Sequence, residues 1–248
     1  NKFFEDIRKM KITIVGETIL DEYITCSLSG LTTKDPAIST VKEKSQTFVG
    51  GALSIAMIFA KFTKKVELIT YGKNKQLNQY VRNIKNLRII NLNNKIEIQK
   101  KTRFLNSNRF EKLLQVANYK KVNEDAKFDF AKVKKYFKKN KPIVISDFGV
   151  GLFEGKFLNF INSSKSLNYI NVQSNSLNLG DNVFSKYKNC KYISLDKREW
   201  ELVLKKEINE NSISEIKKYY NSQTIKSITL GKKGSIHIRN KDKYYSPV

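Results

Sequence analysis

The stretch that decides the fold is Lys11–Asp21, KITIVGETILD. Its first part, Ile12–Val15, is β-branched throughout and mostly apolar, and it ends at Gly16, which predicts a fully buried strand. Strands that are apolar on both faces belong to parallel sheets covered by helices, and such sheets bind ligands beyond the carboxyl ends of their strands. Asp21 follows shortly after that end, where its carboxylate can accept hydrogen bonds from the hydroxyl groups of a ligand. A turn aspartate after a core strand is the alternative.

The composition is that of a folded globular domain. The chain has 248 residues, of which 40% are hydrophobic and 11% aromatic, and its length lies near the upper size of one domain. No apolar run approaches the roughly 18 residues that span a bilayer, and no signal peptide opens the chain. Cys26 and Cys190 are the only cysteines and lack metal-ligand spacing, which favours a reducing compartment. We therefore expect a cytoplasmic protein with no membrane partner.

The single histidine and the large positive charge each argue against a class of function. His237 lies in an alternating segment that predicts a solvent-facing strand position, so chemistry that depends on imidazole is not expected. The formal net charge is +24, from 47 Lys and Arg against 23 Asp and Glu, but only seven of these cations are Arg. The lysines are scattered along the chain, whereas nucleic-acid binders concentrate charge on one face and read bases with Arg. We expect no specific nucleic-acid partner, although the charge should attract anionic ligands.

The rest of the chain alternates predicted strands and helices. Residues 1–10 predict a lead-in amphipathic helix or linker, and residues 11–248 predict one α/β domain. Its doubly wound, mainly parallel sheet should have helices on both faces. The predicted strands are 66–70, 87–91, 142–146, 169–172, 192–195 and 227–230, with a closing hairpin at 235–239 and 243–246. The predicted helices are 53–60 (apolar almost all round and buried), 76–84, a basic helix around 130–137, 156–164, one capped by Asp196, and 213–220.

Two segments break this alternation. Residues 22–48 and 95–120, the latter with extended runs at 96–104 and 113–119, carry period-two patterns inside an otherwise βα chain. Such patterns are typical of strands. We therefore predict that both segments leave the main sheet and pair into a small β lid.

Two glycine-containing junctions follow predicted strands. Gly50 and Gly51 open an apolar helix, where glycines allow backbone N–H groups to approach a ligand, although a plain tight turn fits as well. Residues 147–149, Asp-Phe-Gly, are typical of the protein-kinase magnesium site, but no His-Arg-Asp catalytic loop accompanies them. The glycines at 149, 151 and 155 miss the dinucleotide-binding spacing by one residue. What remains is a strand–Asp–Gly loop–helix junction.

The order of these segments resembles that of the ribokinase-like (PfkB) carbohydrate kinases, across residues 11–248. The closest likeness is to the branch that phosphorylates heptose phosphates for surface-polysaccharide precursors, as in lipopolysaccharide biosynthesis. Kinases of that branch are often fused to a cytidylyl- or adenylyltransferase. The segments that carry the resemblance are VGETILD (15–21), GGA (50–52), KTR (101–103), SDFGVG (146–151), NVQSNS (171–176), DKRE (196–199) and TLGKKG (229–234).

The resemblance implies transfer of a phosphoryl group from ATP, with Mg²⁺, to a sugar or sugar phosphate. It also implies a homodimer formed through the β lid. Lys101 and Arg103 would reach a phosphate already on the sugar; solvated strand positions are the alternative. The residues implied to bind the substrate are Asp21, Gly50, Gly51, Lys101, Arg103 and Asp147.

The nucleotide side follows from the same resemblance. Asp196 and Glu199 correspond to the Asn-x-x-Glu motif that organises magnesium and phosphates, with Glu199 as the metal residue. Asp196 can also be a plain helix N-cap. Thr229, Gly231 and Gly234 would line the nucleotide.

In one respect the sequence departs from the resemblance. The family carries its catalytic base in a Gly-rich Asp-Thr-x-Gly-Ala-Gly-Asp segment shortly after the closing hairpin, and no such segment occurs before Val248. We therefore expect the catalytic aspartate beyond Val248, and a kinase domain here without its C-terminal part. Three hypotheses remain: a sugar kinase domain, a non-catalytic kinase-fold binding or scaffold domain of a bifunctional nucleotidyltransferase, and a nucleic-acid-binding domain, which would need a contiguous basic face.

Overall fold

The computed structural model describes residues 2–118, 122, 128–174, 178 and 180–248. Its helices are α1 (Lys2–Lys9), α2 (Gly51–Ala60), α3 (Asn74–Val81), α4 (Gly155–Ser163), α5 (Lys197–Leu204) and α6 (Glu210–Ile216). Its strands are β1 (Lys11–Gly16), β2 (Thr18–Leu31), β3 (Ile38–Gly50), β4 (Lys65–Thr70), β5 (Leu87–Asn91), β6 (Gln99–Asn106), β7 (Lys112–Asn118), β8 (Pro142–Asp147), β9 (Leu167–Val172), β10 (Tyr192–Asp196), β11 (Ile225–Thr229), β12 (Ser235–Arg239) and β13 (Asp242–Ser246).

The larger sheet has nine strands in the order β13-β12-β11-β10-β9-β8-β1-β4-β5. Seven of them, from β11 to β5 in that order, run parallel, and the closing hairpin of β12 and β13 adds two antiparallel strands at one edge. Ile14 and Val15 on the central strand β1 are fully buried, and each belongs to a different hydrophobic cluster. Ile14 packs with Leu53 of α2, and Val15 shares its cluster with Phe157 of α4. The predicted doubly wound α/β fold is confirmed.

The second sheet has four strands in the order β3-β2-β6-β7 and contains most of both period-two segments. It begins earlier than expected, because β2 starts at Thr18, one residue after β1 ends. Ile19 and Leu20 are buried, at 2% and 7% exposure, so the chain passes from one sheet to the other without a surface turn. Asp21 therefore lies within a strand, and the turn alternative is wrong. We call this four-stranded sheet the lid sheet; residues 119–120 of the predicted segment lie outside the described residues.

Several predicted elements differ in detail. The basic segment predicted as a helix forms two short 3₁₀ turns, Phe130–Lys132 and Lys134–Tyr136. Lysines three and four residues apart repel one another along a helix, while burial of Val133 and Tyr136 anchors the segment. Strand β6 begins at Gln99, so the residues just before it do not continue the alternating run as a strand.

Helix α2 is buried on one side only. Ala52, Leu53 and Ala56 face the sheet, whereas Ile58 is 53% exposed. A helix that covers one face of a sheet keeps its other side in solvent, so the predicted buried helix is buried only on the side that faces the sheet. Within the described ranges, every helix is too short or too polar to cross a membrane.

Candidate functional site

Asp21, Lys101 and Arg103 lie together on one face of the lid sheet. Strands β2 and β6 run in parallel register, with Asp21 opposite Lys101 and Tyr23 opposite Arg103. Alternate residues of a strand share a face, so these four side chains project to the same side. The Arg103 guanidinium donates to the Asp21 carboxylate, and it lies 5.2 Å from the centre of the Tyr23 ring.

The electrostatics of this cluster favour an anion. The side chains of Asp21 and Arg103 are 24% and 19% exposed, and Lys101 is buried at 8%. Burial lowers the pKa of Lys101, the Asp21 carboxylate opposes that shift, and the Arg103 cation adds to it. Lys101 is thus not a solvated strand residue. Two cations beside one carboxylate leave a half-buried net positive charge.

Gly50 and Gly51 lie against this cluster, at two positions where a side chain would clash with neighbouring atoms. Gly50 ends β3 and caps α2, and a Cβ at this position would lie 2.4 Å from Oδ2 of Asp21. Gly51 has φ of +63°, and its Cβ would lie 2.3 Å from the carbonyl oxygen of Glu17. That carbonyl accepts a hydrogen bond from the backbone N–H of Ala52 at 2.8 Å. The start of α2 is therefore packed directly onto the junction between β1 and β2, with Asp21 beside it.

Glu17, to which the sequence motifs assign no role, lies at the carboxyl end of the central strand β1. It is fully buried, and its carboxylate accepts hydrogen bonds from the backbone N–H groups of Phe148 at 3.0 Å and Leu152 at 3.3 Å. Burial, reinforced by the nearby Asp147 carboxylate, raises the pKa of Glu17 to about 8. Glu17 is therefore mostly protonated at neutral pH and ties the loop after β8 to the end of β1.

Asp147 is held by protein groups on both of its oxygens. One oxygen accepts hydrogen bonds from the Gly149 N–H at 2.9 Å and the Asn182 amide at 3.1 Å. The other accepts from the Tyr187 hydroxyl at 2.7 Å and forms an ion pair with Lys186 at 2.6 Å. Burial and the Asp147 carboxylate raise the pKa of Tyr187 well above its usual value.

This network bears on the substrate-binding role predicted for Asp147. Its side chain has no exposed surface, so it has no free oxygen to offer a substrate, and it holds the Gly-rich loop in place instead. Sequence reasoning missed Glu17, Asn182 and Lys186. Glu17 had a usable signal, since it directly follows the glycine that ends β1. No pattern in the sequence connects Lys186 with Asp147.

The predicted nucleotide residues meet at the ends of β10 and β11. Asp196 and Thr229 are register partners at the carboxyl ends of these strands. Asp196 caps α5 in a capping box: its Oδ1 accepts from the Glu199 N–H at 2.7 Å, and Glu199 accepts from the Asp196 N–H at 2.9 Å. The N-cap alternative is therefore realised, yet Asp196 stays exposed at the sheet edge. Asp196 therefore caps the helix and also faces the space where a nucleotide would bind.

The two predicted nucleotide glycines differ in what surrounds them. Gly231 has φ of +58°, and a side chain there would meet no atom within 4 Å, so it borders open space. Gly234 has φ of +84°, and its Cβ would lie 2.1 Å from the Ser246 carbonyl oxygen. Gly234 is thus required by the closing hairpin, whereas Gly231 leaves room for a ligand.

Asp196 suits magnesium better than the predicted metal residue Glu199. Within the described residues, no group of three or more His, Cys, Asp or Glu side chains is placed to hold a metal ion. Magnesium at phosphate sites usually takes one or two carboxylates, substrate phosphates and water. The Glu199 oxygens already accept the N–H groups of Asp196 and Ser174, and burial raises its pKa. The exposed carboxylate of Asp196 therefore fits as the direct ligand, with Glu199 orienting it.

Both clusters lie beyond the carboxyl ends of the main sheet's parallel strands. The order β11-β10-β9-β8-β1 separates β10 from β1 by three strand spacings, or about 14 Å. The Gly-rich loop after β8 lies between them. The edge therefore has room for a nucleotide at one end and a small acceptor at the other.

Comparisons with known proteins identify the fold. No protein-family model and no curated protein matches the sequence. Phosphofructokinase-2 from Escherichia coli, in complex with fructose-6-phosphate, is similar in structure with a TM-score of 0.66 and 10% identity, over 96% of this chain and 79% of that one. Ribokinase from Thermotoga maritima has a TM-score of 0.64 and 12% identity, over 96% and 78%. The structural neighbours are ribokinase-like sugar kinases, and the likeness establishes the ribokinase-like fold.

Proposed function

We propose that this chain is a carbohydrate kinase domain that transfers a phosphoryl group from ATP to a sugar phosphate of the heptose-phosphate type. One observation carries the proposal: Asp21, backed by Gly50, lies beside the two lid cations Lys101 and Arg103. A carboxylate accepts hydrogen bonds from sugar hydroxyls, and a cationic pair suits a phosphate already on the sugar. The phosphorylated sugar would therefore lie between α2 and the lid sheet.

The nucleotide would bind at the ends of β10 and β11. Thr229 and Gly231 would line it, and Asp196 would hold Mg²⁺, which when bound neutralises charge on the phosphates. In such transfers, positioning and charge neutralisation supply most of the rate. The described residues would bind the nucleotide and the sugar from the two ends of the sheet edge, so that the γ-phosphate and the acceptor hydroxyl meet between them.

The proton of the attacking hydroxyl needs a base within hydrogen-bond reach. Glu17 and Asp147 are buried and bonded to protein groups, and Asp21 is paired with Arg103. We therefore do not assign the base to any of these three carboxylates.

The same resemblance extends the proposal to the biological setting. We propose that the reaction takes place in the cytoplasm and supplies surface-polysaccharide precursors, that a nucleotidyltransferase is fused or associated, and that two copies pair through the lid sheet.

Calorimetry on binding tests the substrate assignment without requiring turnover. Arg103→Met should weaken binding of sedoheptulose 7-phosphate by about 10- to 100-fold, because a charged hydrogen bond contributes about 1.5–3 kcal/mol. It should weaken binding of the unphosphorylated sugar far less. Asp21→Asn should weaken both sugars and leave binding of ATP with Mg²⁺ unchanged. Arg88→Met, which removes an exposed arginine on β5, is the charge-matched control.

Equal losses for both sugars in Arg103→Met would remove the phosphate role. Tight binding of sugar and nucleotide without any turnover by the full-length protein would favour the non-catalytic scaffold.

A further inference from the structure

A cavity lies at the amino ends of the main sheet's strands, opposite the candidate functional site. The loops that lead into β9, β10 and β11 border an open cavity of about 610 Å³, a volume in the range of small-molecule sites. Three lysines line it, Lys165, Lys188 and Lys191, and no Asp or Glu is among its lining residues. Because these are the amino ends of the strands, the cavity is about one strand length, roughly 16 Å, from Asp196 and the proposed nucleotide site.

Directly behind the cavity wall is a buried lysine. Lys226 on β11 is 1% exposed, and its ammonium donates a hydrogen bond to the backbone carbonyl of Asn221 at 2.9 Å. Asn221 and Cys190, whose thiol is close enough to influence the pKa of Lys226, both line the cavity. Among the described residues no carboxylate forms an ion pair with Lys226. Burial lowers its pKa accordingly.

A buried ammonium with a single carbonyl partner is costly, because it loses hydration without gaining a counter-charge. Lysine offers three N–H donors, and in the described part of the chain only one of them has an acceptor. Lys226 does not line the adjoining cavity, but its uncompensated charge lies directly behind the wall and adds to the positive potential there.

The rest of the cavity wall is already bonded internally. The Ser166 hydroxyl donates to Asn168 at 2.8 Å, and the Asn168 amide donates to the Asn189 carbonyl at 3.2 Å. These bonds give the cavity a fixed polar wall, and the lysine side chains are at its solvent-facing rim, where no other protein group is bonded to them among the described residues. A group of lysines without nearby carboxylates is typical of a phosphate-binding site, in which each Lys acts as a point charge.

We propose that this cavity binds a phosphate-bearing small molecule, whose anionic group contacts Lys188 and Lys191 while the buried charge of Lys226 strengthens the attraction from behind the wall. The site goes beyond the proposed kinase activity, since it lies at the other end of the strands and shares no residue with it.

Thermal denaturation and calorimetry with inorganic phosphate, glucose 6-phosphate and AMP test this proposal, each against KCl at equal ionic strength. The wild-type chain should show a saturable rise in Tm with at least one of the three, and the best of them identifies the ligand's source. Lys226→Met should weaken that binding at least 10-fold, and it should raise the ligand-free Tm by removing an uncompensated charge. Lys64→Met, at an exposed lysine between α2 and β4, should bind as the wild type does.

If Lys226→Met does not fold, the double variant Lys188→Ser/Lys191→Ser should show the same loss of binding. Arg103→Met should leave this response intact, which separates it from the sugar site. A rise in Tm that KCl reproduces, or binding that survives both cavity variants, would overturn the proposal.

Discussion

The buried carboxyl of Glu17 should make the stability of this protein fall as pH rises. Its pKa is raised from 4.5 to about 8 in the folded chain, so the folded state binds one more proton than the unfolded state between these values. By linkage, the stabilising effect of that proton is complete below the unfolded pKa and is lost as pH rises through about 8. Between about pH 5.5 and 8.5 the loss amounts to about 3 kcal/mol.

Glu17→Gln removes this titration. The amide keeps the size of the side chain but offers one acceptor oxygen, so one of the two N–H groups of Phe148 and Leu152 loses its partner. That change costs about 1–3 kcal/mol at every pH. The variant should therefore be less stable than the wild type at about pH 5.5, and the difference should shrink or reverse near about pH 8.5.

Urea denaturation at the two pH values measures the effect. With an m-value near 3 kcal/mol per molar, the wild-type midpoint should drop by about 1 M from the lower to the higher pH. In Glu17→Gln the drop should be largely absent, with a remainder from Glu199, whose pKa is also raised by burial. Glu5→Gln, an exposed position on α1, should keep the wild-type dependence. An equal drop in wild type and Glu17→Gln would refute the assignment of the proton to Glu17.

Two further predictions concern the lid sheet. Gly50→Ala should push the Asp21 carboxylate aside, since the new Cβ would lie 2.4 Å from its oxygen. Calorimetry should show that sugar-phosphate binding weakens about 10-fold, with little change in Tm. Adding Gly50→Ala to Asp21→Ala should cause no further loss of binding. Leu114 and Val116, which lie on one face of β7 at 56% and 49% exposure, should contribute to the proposed homodimer. Leu114→Lys should then raise the dimer dissociation constant at least 10-fold in sedimentation equilibrium, and a wild-type chain that stays monomeric at high concentration would contradict this.

The parts of the fold that follow from local pattern were predictable. The β-branched run before Gly16 produced the central strand, because β-branched side chains buried on both faces suit few other structures. The lid segments were recognisable since period-two alternation marks a sheet with one solvated face. Their bounds were not, because the pairing of Asp21 with Lys101 depends on strands that are distant in the sequence.

The buried polar network around Asp147 was not predictable for a related reason. Lys186 and Asn182 belong to a stretch without periodic pattern, and only the packing of that stretch against β8 brings them to Asp147. The helix predicted at 130–137 was wrong for a different reason. The spacing of its apolar residues favours a helix, but neighbouring lysines repel one another along a helix, and the apolar spacing carries no information about this repulsion.

Glu17 joins the three parts of the proposed site. It is the single residue between β1 and β2, so it fixes where the lid sheet leaves the main sheet. Its carbonyl accepts the N–H of Ala52 and fixes the start of α2, beside Asp21. Its carboxyl holds Phe148 and Leu152, and hence the Gly-rich loop that lies between the two proposed substrates. Because loss of one proton adds a negative charge beside Asp147 in a buried setting, ionisation of Glu17 should strain this loop first. The stability should therefore stop falling above about pH 8, and sugar-phosphate binding should weaken with a midpoint near that same pH.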